Sequence, residues 1–449
     1  MSNTKKIFSS FKNIHFQSLI GSVTMSLLNM LMIAILYHTL SMIEMGVYVF
    51  LMTLIALIDT IKAGFLNIPF VTFYSGTDED NAIDVAGSSW CLALFISGAL
   101  LLINIGTWFI SFYFTNAGLV LFLRYFGIIS TTTLPIFMAT LVVQAEKRFD
   151  RLLWLRLVNQ LLFTATVVML IFLRKSNLTN ILIGYTVCNV VSSAVSICIG
   201  WSKIEAIGKA TKKTFWELFH FGKYSAATNI SSNLFRVTDT FFINFFLGPT
   251  ALAMANLGGR LIQIIEIPLS SFVSSSMPGL SGHYNNNQND LLILTMKKVI
   301  GMLTWVVFFI AILSVIFADP LITLIGGSKY AGSIAPNLFR IFIVITVFYP
   351  TDRFFALTLD VIHKPKINFY KILIMLSVNL LFDVVAVIFF KSVYAIVIPN
   401  IFPVVIAIVI AFIPLNKFYR FNFLSIYVIG YQSLISSVKK ILAFQTKKN

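Results

Sequence analysis

The stretch Ser231–Gly248, SSNLFRVTDTFFINFFLG, sets an arginine and an aspartate inside a run otherwise apolar enough to enter a lipid bilayer. Composition decides how to read it. Of 449 residues, 58% are hydrophobic and 11% charged, with a mean hydropathy of +0.89, whereas an ordinary soluble domain is about 25% charged. Such a chain belongs in a membrane, so Ser231–Gly248 is part of a membrane helix whose charges need a reason. The net charge of +16 would suit a nucleic acid, but 44 Phe and long apolar runs exclude a soluble basic binder. The Lys and Arg residues are therefore topology signals, and no nucleic-acid partner is expected. Cys91, Cys188 and Cys198 all fall in apolar segments, which suits helix packing better than disulfides or metal ligation.

A helix crosses the hydrocarbon in about 20 mostly apolar residues. Such runs fall at 18–39, 47–72, 86–113, 118–143, 152–173, 179–200, 216–246, 251–278, 297–317, 335–358, 367–390 and 393–415. The expected fold is thus all-α and integral to the membrane, with about twelve spans. The basic, polar start MSNTKKIFSSFKN lacks a nearby small-residue cleavage site and reads as the lead into a retained first span.

Placing the N-terminus inside puts Lys5, Lys6, Lys12, Lys147, Arg148, Arg151, the segment from Lys203 to Lys213, Lys297, Lys298, Lys364, Lys366 and the tail from Lys417 on the inner face. Only Arg174, Lys175, Lys329 and Lys391 remain outside. That asymmetry predicts two cytoplasmic termini. One inner loop, SGTDEDNAID, is acidic, but acidic residues count little in this rule. The tail, RFNFLSIYVIGYQSLISSVKKILAFQTKKN, reads first as an interfacial helix, with a thirteenth span as the alternative.

The basic segment WSKIEAIGKATKKTFWE divides the spans six and six. A shift of 207 lays Leu40–Tyr48 on Leu247–Ala255, each a short turn between spans; a shift of 209 aligns Pro69 with Pro278 before a polar inner loop. Repeats with an even number of spans share one orientation. The expected organisation is an N-terminal lobe (1–201), a basic cytoplasmic linker (202–214), a C-terminal lobe (215–416) and a basic cytoplasmic or interfacial tail (417–449), the two six-helix lobes enclosing a central cavity.

Each charge at a helix centre costs about 2.5–3.5 kcal/mol on insertion scales, so it faces a bundle interior or a watery cavity. Arg236 and Asp239 are three apart and share a helix face. Counting back from Phe246 and forward from Ala251 puts Arg236 and Arg260 at similar depth, roughly 15 Å from the outer surface. Two cations at one level repel unless an anion visits. The pair Arg236–Asp239 can instead neutralise itself as a packing element, whereas Arg260 has no local acid, Glu266 pointing to another side. Asp59 and Lys62 form a second three-apart pair; Lys223 lies near the inner end of its span; Asp383 is deep without a local partner. Arg124 and Arg340 near outer ends, and Arg156 and Arg353 near inner ends, read as anchors. There is no phosphate-binding G-x-x-x-x-G-K-[ST] loop, and His15, His38, His220, His283 and His363 lack metal-ligand spacing, so no catalytic residue, metal or enzyme activity is expected.

The stretch FHFGKYSAATNISSNLFRVTDTFFINFFLGPTALAMANLGGRLIQIIEIPLSSFVSSSMPGLS resembles the seventh and eighth spans of polysaccharide flippases of the MOP superfamily, the O-antigen and polysaccharide-export transporters related to MATE exporters. FADPLITLIGGSKYAGSIAPNLFRIF is similar to that family's outer loop after the ninth span, and LSMIEMGVYVFLM to the region after the first. The resemblance implies a MATE-like fold and translocation of undecaprenyl-diphosphate-linked oligosaccharide units from the inner to the outer leaflet of a bacterial cytoplasmic membrane, for O-antigen, capsule or exopolysaccharide synthesis. It makes a lipid-linked oligosaccharide and membrane lipids the partners, with polymerases and glycosyltransferases nearby. Arg236, Arg260, Lys223 and Lys62 would then form the diphosphate cavity, while Asp59, Asp239, Glu266 and Asp383 are the charge-pairing or H+/Na+-coupling candidates; no cofactor is implied. MATE-type drug export and lipid II flipping are the alternatives. Span 18–39 lacks the acidic residue typical of the former, and the first two spans lack the arginines typical of the latter. A non-transporting scaffold for glycan-assembly enzymes is a further alternative.

Overall fold

Ser41 shows how the first membrane hairpin is made. The Glu44 N–H donates to Ser41 Oγ while the Ser41 N–H donates back to the Glu44 carboxylate, a reciprocal cap that satisfies two orphan amides and starts a helix after a two-residue turn. The computed structural model describes residues 14–75 and 77–446. These form α1 (Ile14–Thr39), α2 (Met42–Tyr74), α3 (Glu79–Ile110), α4 (Ala117–Thr132), α5 (Leu134–Ala145), α6 (Phe149–Phe172), α7 (Leu178–Cys198) and α8 (Lys212–Phe242). There follow α9 (Pro249–Asn285), α10 (Asn289–Ile316), α11 (Ala318–Gly326), α12 (Ala335–Thr346), α13 (Tyr349–Val361), α14 (Pro365–Val385), α15 (Val393–Val397), α16 (Ile401–Tyr419) and α17 (Leu424–Thr446). No strand occurs among the described residues.

Among the described residues eight helical segments are long and apolar enough to span: Met42–Tyr74, Glu79–Tyr113, Phe149–Phe172, Leu178–Cys198, Asn289–Ile316, Ala335–Val361, Pro365–Phe390 and Val393–Tyr419. A ninth is the pair α4 and α5, bent by 45° where Pro135 begins the second helix, since proline cannot donate to the preceding turn. The other three expected runs are also helical. Among the described residues α1 carries an apolar stretch at Thr24–Thr39 and α8 one at Val237–Leu247 that runs into a π turn. The chain of α9 contains Pro268 and Pro278 and a serine-rich second half. Helices this polar sit in a membrane only where water or protein covers their polar faces.

The packing divides the chain into two compact units, Met1–Ala253 and Met254–Asn449. The division falls after α8 because α8 lies antiparallel along α2: Phe219 stacks on Phe65, and Phe241 and Phe245 meet Phe50. Small residues allow the approach, a Cβ on Gly64 falling 2.4 Å from Ala226 Cα. The segment before α8 is strapped to the first unit. Trp90 Nε1 donates to Ser202 O at 2.7 Å, and Asp84 accepts from the Thr211 N–H and the Thr214 hydroxyl at 2.8 and 2.6 Å. Lys203 pairs with Glu146 at 2.9 Å and contacts Tyr74; burial opposes its charge, but these two partners hold its ammonium above the ordinary lysine range. The prolines matched by the internal repeat, Pro69 and Pro278, both lie inside long helices near their C-terminal ends.

In the second unit the tail helix α17 is packed against a span. Lys297, Gly301 and Trp305 of α10 meet, in order, Phe421, Ile426 with Gly430, and Tyr427 with Tyr431. The two helices therefore run in the same direction, a register that a helix lying free at the headgroups lacks. Gly430 makes it possible, because a Cβ there would stand 2.2 Å from Gly301. Gly430→Leu is expected to cost about 1–3 kcal/mol by overpacking, seen as a lower apparent melting temperature in detergent and faster tryptic cleavage near Lys439. Unchanged melting and cleavage would contradict this packing.

Candidate functional site

Five helices of the first unit line a common cavity of about 480 Å³, α1 through Met25. On α2 the face carries Asp59 and Lys62, on α5 Thr133 and Phe137, on α6 Arg156, Asn159 and Gln160, and on α7 Asn189. The spacings of three and four residues are those that bring side chains to one side of a helix. Lys62 is 1% exposed. Its ammonium meets Asp59 at 2.8 Å and donates to Ser130 O at 2.9 Å and Thr133 Oγ1 at 3.2 Å, so all three protons are used. The three-apart pair expected from sequence is thus an ion pair, with the lysine sealed in helix packing and Asp59 half-exposed to the cavity.

The other expected residues are distributed over both units. On α8, Lys223 is exposed and Asp239 half-buried; the Arg236 side chain lies outside the described residues. On α9, Arg260 is half-buried, and its Nε reaches Asn256 Oδ1 one turn back at 3.4 Å. Glu266 is half-buried and forms no ion pair among the described residues. Asp383 on α14 is 1% exposed and does have a local partner, Asn379 one turn earlier, whose Nδ2 donates to it at 3.1 Å. The expectation of an Asp383 without a sequence-local partner is corrected: its partner is a neutral amide four residues back, which a pattern of charges does not reveal.

Sequence reasoning also missed two features. Lys371 of α14 and Asp352 of α13 form an ion pair at 2.7 Å with side chains 5% and 16% exposed. Arg156, read as an anchor, lines the cavity beside Asn159 and Gln160; amides three and four residues after a basic residue in an apolar span were the available signal. Arg124 lies over Phe112 and donates to Ser111, and Arg340 pairs with Asp319. Among the described residues no group of His, Cys, Asp and Glu could hold a metal.

This is a multi-pass α-helical architecture with the MATE-like fold. A MATE multidrug-resistance transporter of the MOP superfamily in an inward-facing conformation superposes with a TM-score of 0.72 at 13% identity, over 88% of this chain and 94% of that one. The lipid II flippase MurJ, inward closed, gives 0.71 at 14% identity over 94% and 92%, and a mutant of the Vibrio cholerae MATE transporter VcmN gives 0.61 at 14% over 95% and 100%. No curated protein sequence matches the chain. Residues 35–335 match the model of the polysaccharide biosynthesis protein family, and the chain belongs to that family.

Proposed function

We propose that the protein is a flippase that moves undecaprenyl-diphosphate-linked oligosaccharide units from the inner to the outer leaflet of a bacterial cytoplasmic membrane, with both chain termini in the cytoplasm. The observation that carries this reading is membership of a polysaccharide biosynthesis family on a fold shared with transporters and a lipid flippase. The polarity of α8 and α9, with Arg236, Asp239 and Arg260 at depth and Lys223 near the inner end, supports it, since charges that costly in lipid are retained where a charged substrate passes. In this reading Arg236 and Arg260 attract the diphosphate, Asp239 orients Arg236, and two six-span lobes (1–201 and 215–416) alternate access to either side. Coupling to H+ or Na+ through Asp59, Asp239, Glu266 or Asp383 is part of the same proposal, as is work beside polymerases and glycosyltransferases.

The test is surface-glycan display in a strain lacking the gene. Wild-type complementation is expected to restore display and to clear the lipid-linked intermediate from the inner leaflet. If it restores nothing at normal protein abundance, the flippase reading fails. MATE-type drug export is favoured by the same fold, and its signature would be reduced drug susceptibility on overexpression.

A further inference from the structure

We propose that the cavity of the first unit, among α1, α2, α5, α6 and α7, is a binding subsite for an acidic sugar residue, whose anionic group pairs with Arg156 and whose hydroxyls are held by the amides of Asn159, Gln160 and Asn189. Asp59 and Lys62 neutralise each other, and the Lys62 protons are all taken. Arg156 has no such partner: it forms no ion pair or hydrogen bond among the described residues. Asn159 Nδ2 donates to Asn189 Oδ1 at 3.0 Å, and the Asn189 amide, on a residue 4% exposed, has the Tyr185 hydroxyl beside it.

Arg156 is exposed and lines the cavity, and a guanidinium in a membrane span is costly unless water or a charged partner meets it. A ligand that brings an anion and hydroxyls together engages the guanidinium and the neighbouring amides at once. The donors set the ligand's chemistry. A guanidinium presents a planar fork suited to a carboxylate or phosphate, while carboxamides donate to and accept from neighbouring hydroxyls. With the ion pair cancelled, the lining carries one net positive charge. Its volume of about 480 Å³ lies within the range of about 300–1,000 Å³ typical of small-ligand sites. An acidic saccharide combines the required groups; a lipophilic drug cation does not.

The subsite lies wholly within the first unit, and only the identity of its ligand as part of a translocated glycan rests on the flippase reading. The test uses the full-length protein purified in detergent, titrated calorimetrically with cellobiouronic acid and with its neutral analogue cellobiose. The acidic disaccharide is expected to bind at least 10-fold more tightly than the neutral one. Arg156→Gln should abolish that preference while leaving the melting curve in place, and Arg156→Lys should retain part of it. Asn159→Ala should weaken both sugars about equally. Equal binding of both disaccharides to wild type, or a preference unchanged in Arg156→Gln, overturns the subsite. So does Arg156-dependent stabilisation by phosphatidylglycerol without any response to the acidic disaccharide, which would make the cavity a lipid-headgroup site. None of these results depends on glycan display, so the subsite and the flippase reading fail separately.

Discussion

Arg260→Ala is expected to abolish surface-glycan display at unchanged protein abundance. The guanidinium sits half-buried on α9, and its recorded contact is a long one, 3.4 Å to the neutral Asn256 amide. Glu266, the nearest acid along the helix, does not pair with it. A cation held this way stabilises nothing nearby, so removing it should scarcely lower stability, and the loss should fall on the diphosphate it attracts. A charge-assisted hydrogen bond contributes about 1.5–3 kcal/mol, which corresponds to a 10- to 100-fold loss of substrate affinity. Arg260→Lys should retain partial activity, since it keeps the charge but not the bidentate fork. The readouts are glycan display, accumulation of the lipid-linked intermediate and membrane abundance measured in one strain set. Full display by the alanine variant would make Arg260 a packing residue.

How far the sequence reveals this site depends on how local each interaction is. Asp59 and Lys62 were legible because a three-residue spacing on one helix leaves little choice of partner. Asp383 was legible as buried but not as partnered, because its partner Asn379 is neutral and a pattern of charges does not reveal it. The cavity donors on α6 showed a helical spacing too, yet their meeting with Asn189 of α7 depends on how α6 and α7 pack, which periodicity does not encode. The fold was legible for a different reason. Hydrocarbon thickness imposes a length on every span, so apolar runs alone located the helices. Two breaks inside expected spans, at Pro135 and at Pro350, were also written in the chain, since proline starts a new helix at both. The polar helices α8 and α9 were found through their flanks, and their composition is what sets them apart from ordinary spans.

The pair Lys371–Asp352 is the non-local counterpart of Asp59–Lys62 and should give the largest stability effect in the second unit. Nineteen residues and a helix–helix turn separate the two groups, yet Lys371 Nζ donates to Asp352 Oδ1 at 2.7 Å in nearly water-free surroundings. Removing one member of a buried pair costs about 3–5 kcal/mol, because the survivor stays charged without compensation, whereas replacing both by apolar groups of similar size is often neutral. Asp352→Asn strands the more deeply buried partner, Lys371, and should be the worse single change. Lys371→Met leaves a carboxylate with somewhat more access to water and should cost less. The double variant Asp352→Leu/Lys371→Met should recover most of the loss, giving a coupling that additive effects cannot produce. Unfolding midpoints of the four proteins in one detergent measure it. If the double variant is as unstable as the sum of the singles, the two charges do not act as a pair, and the contact between α13 and α14 is held by its apolar packing alone.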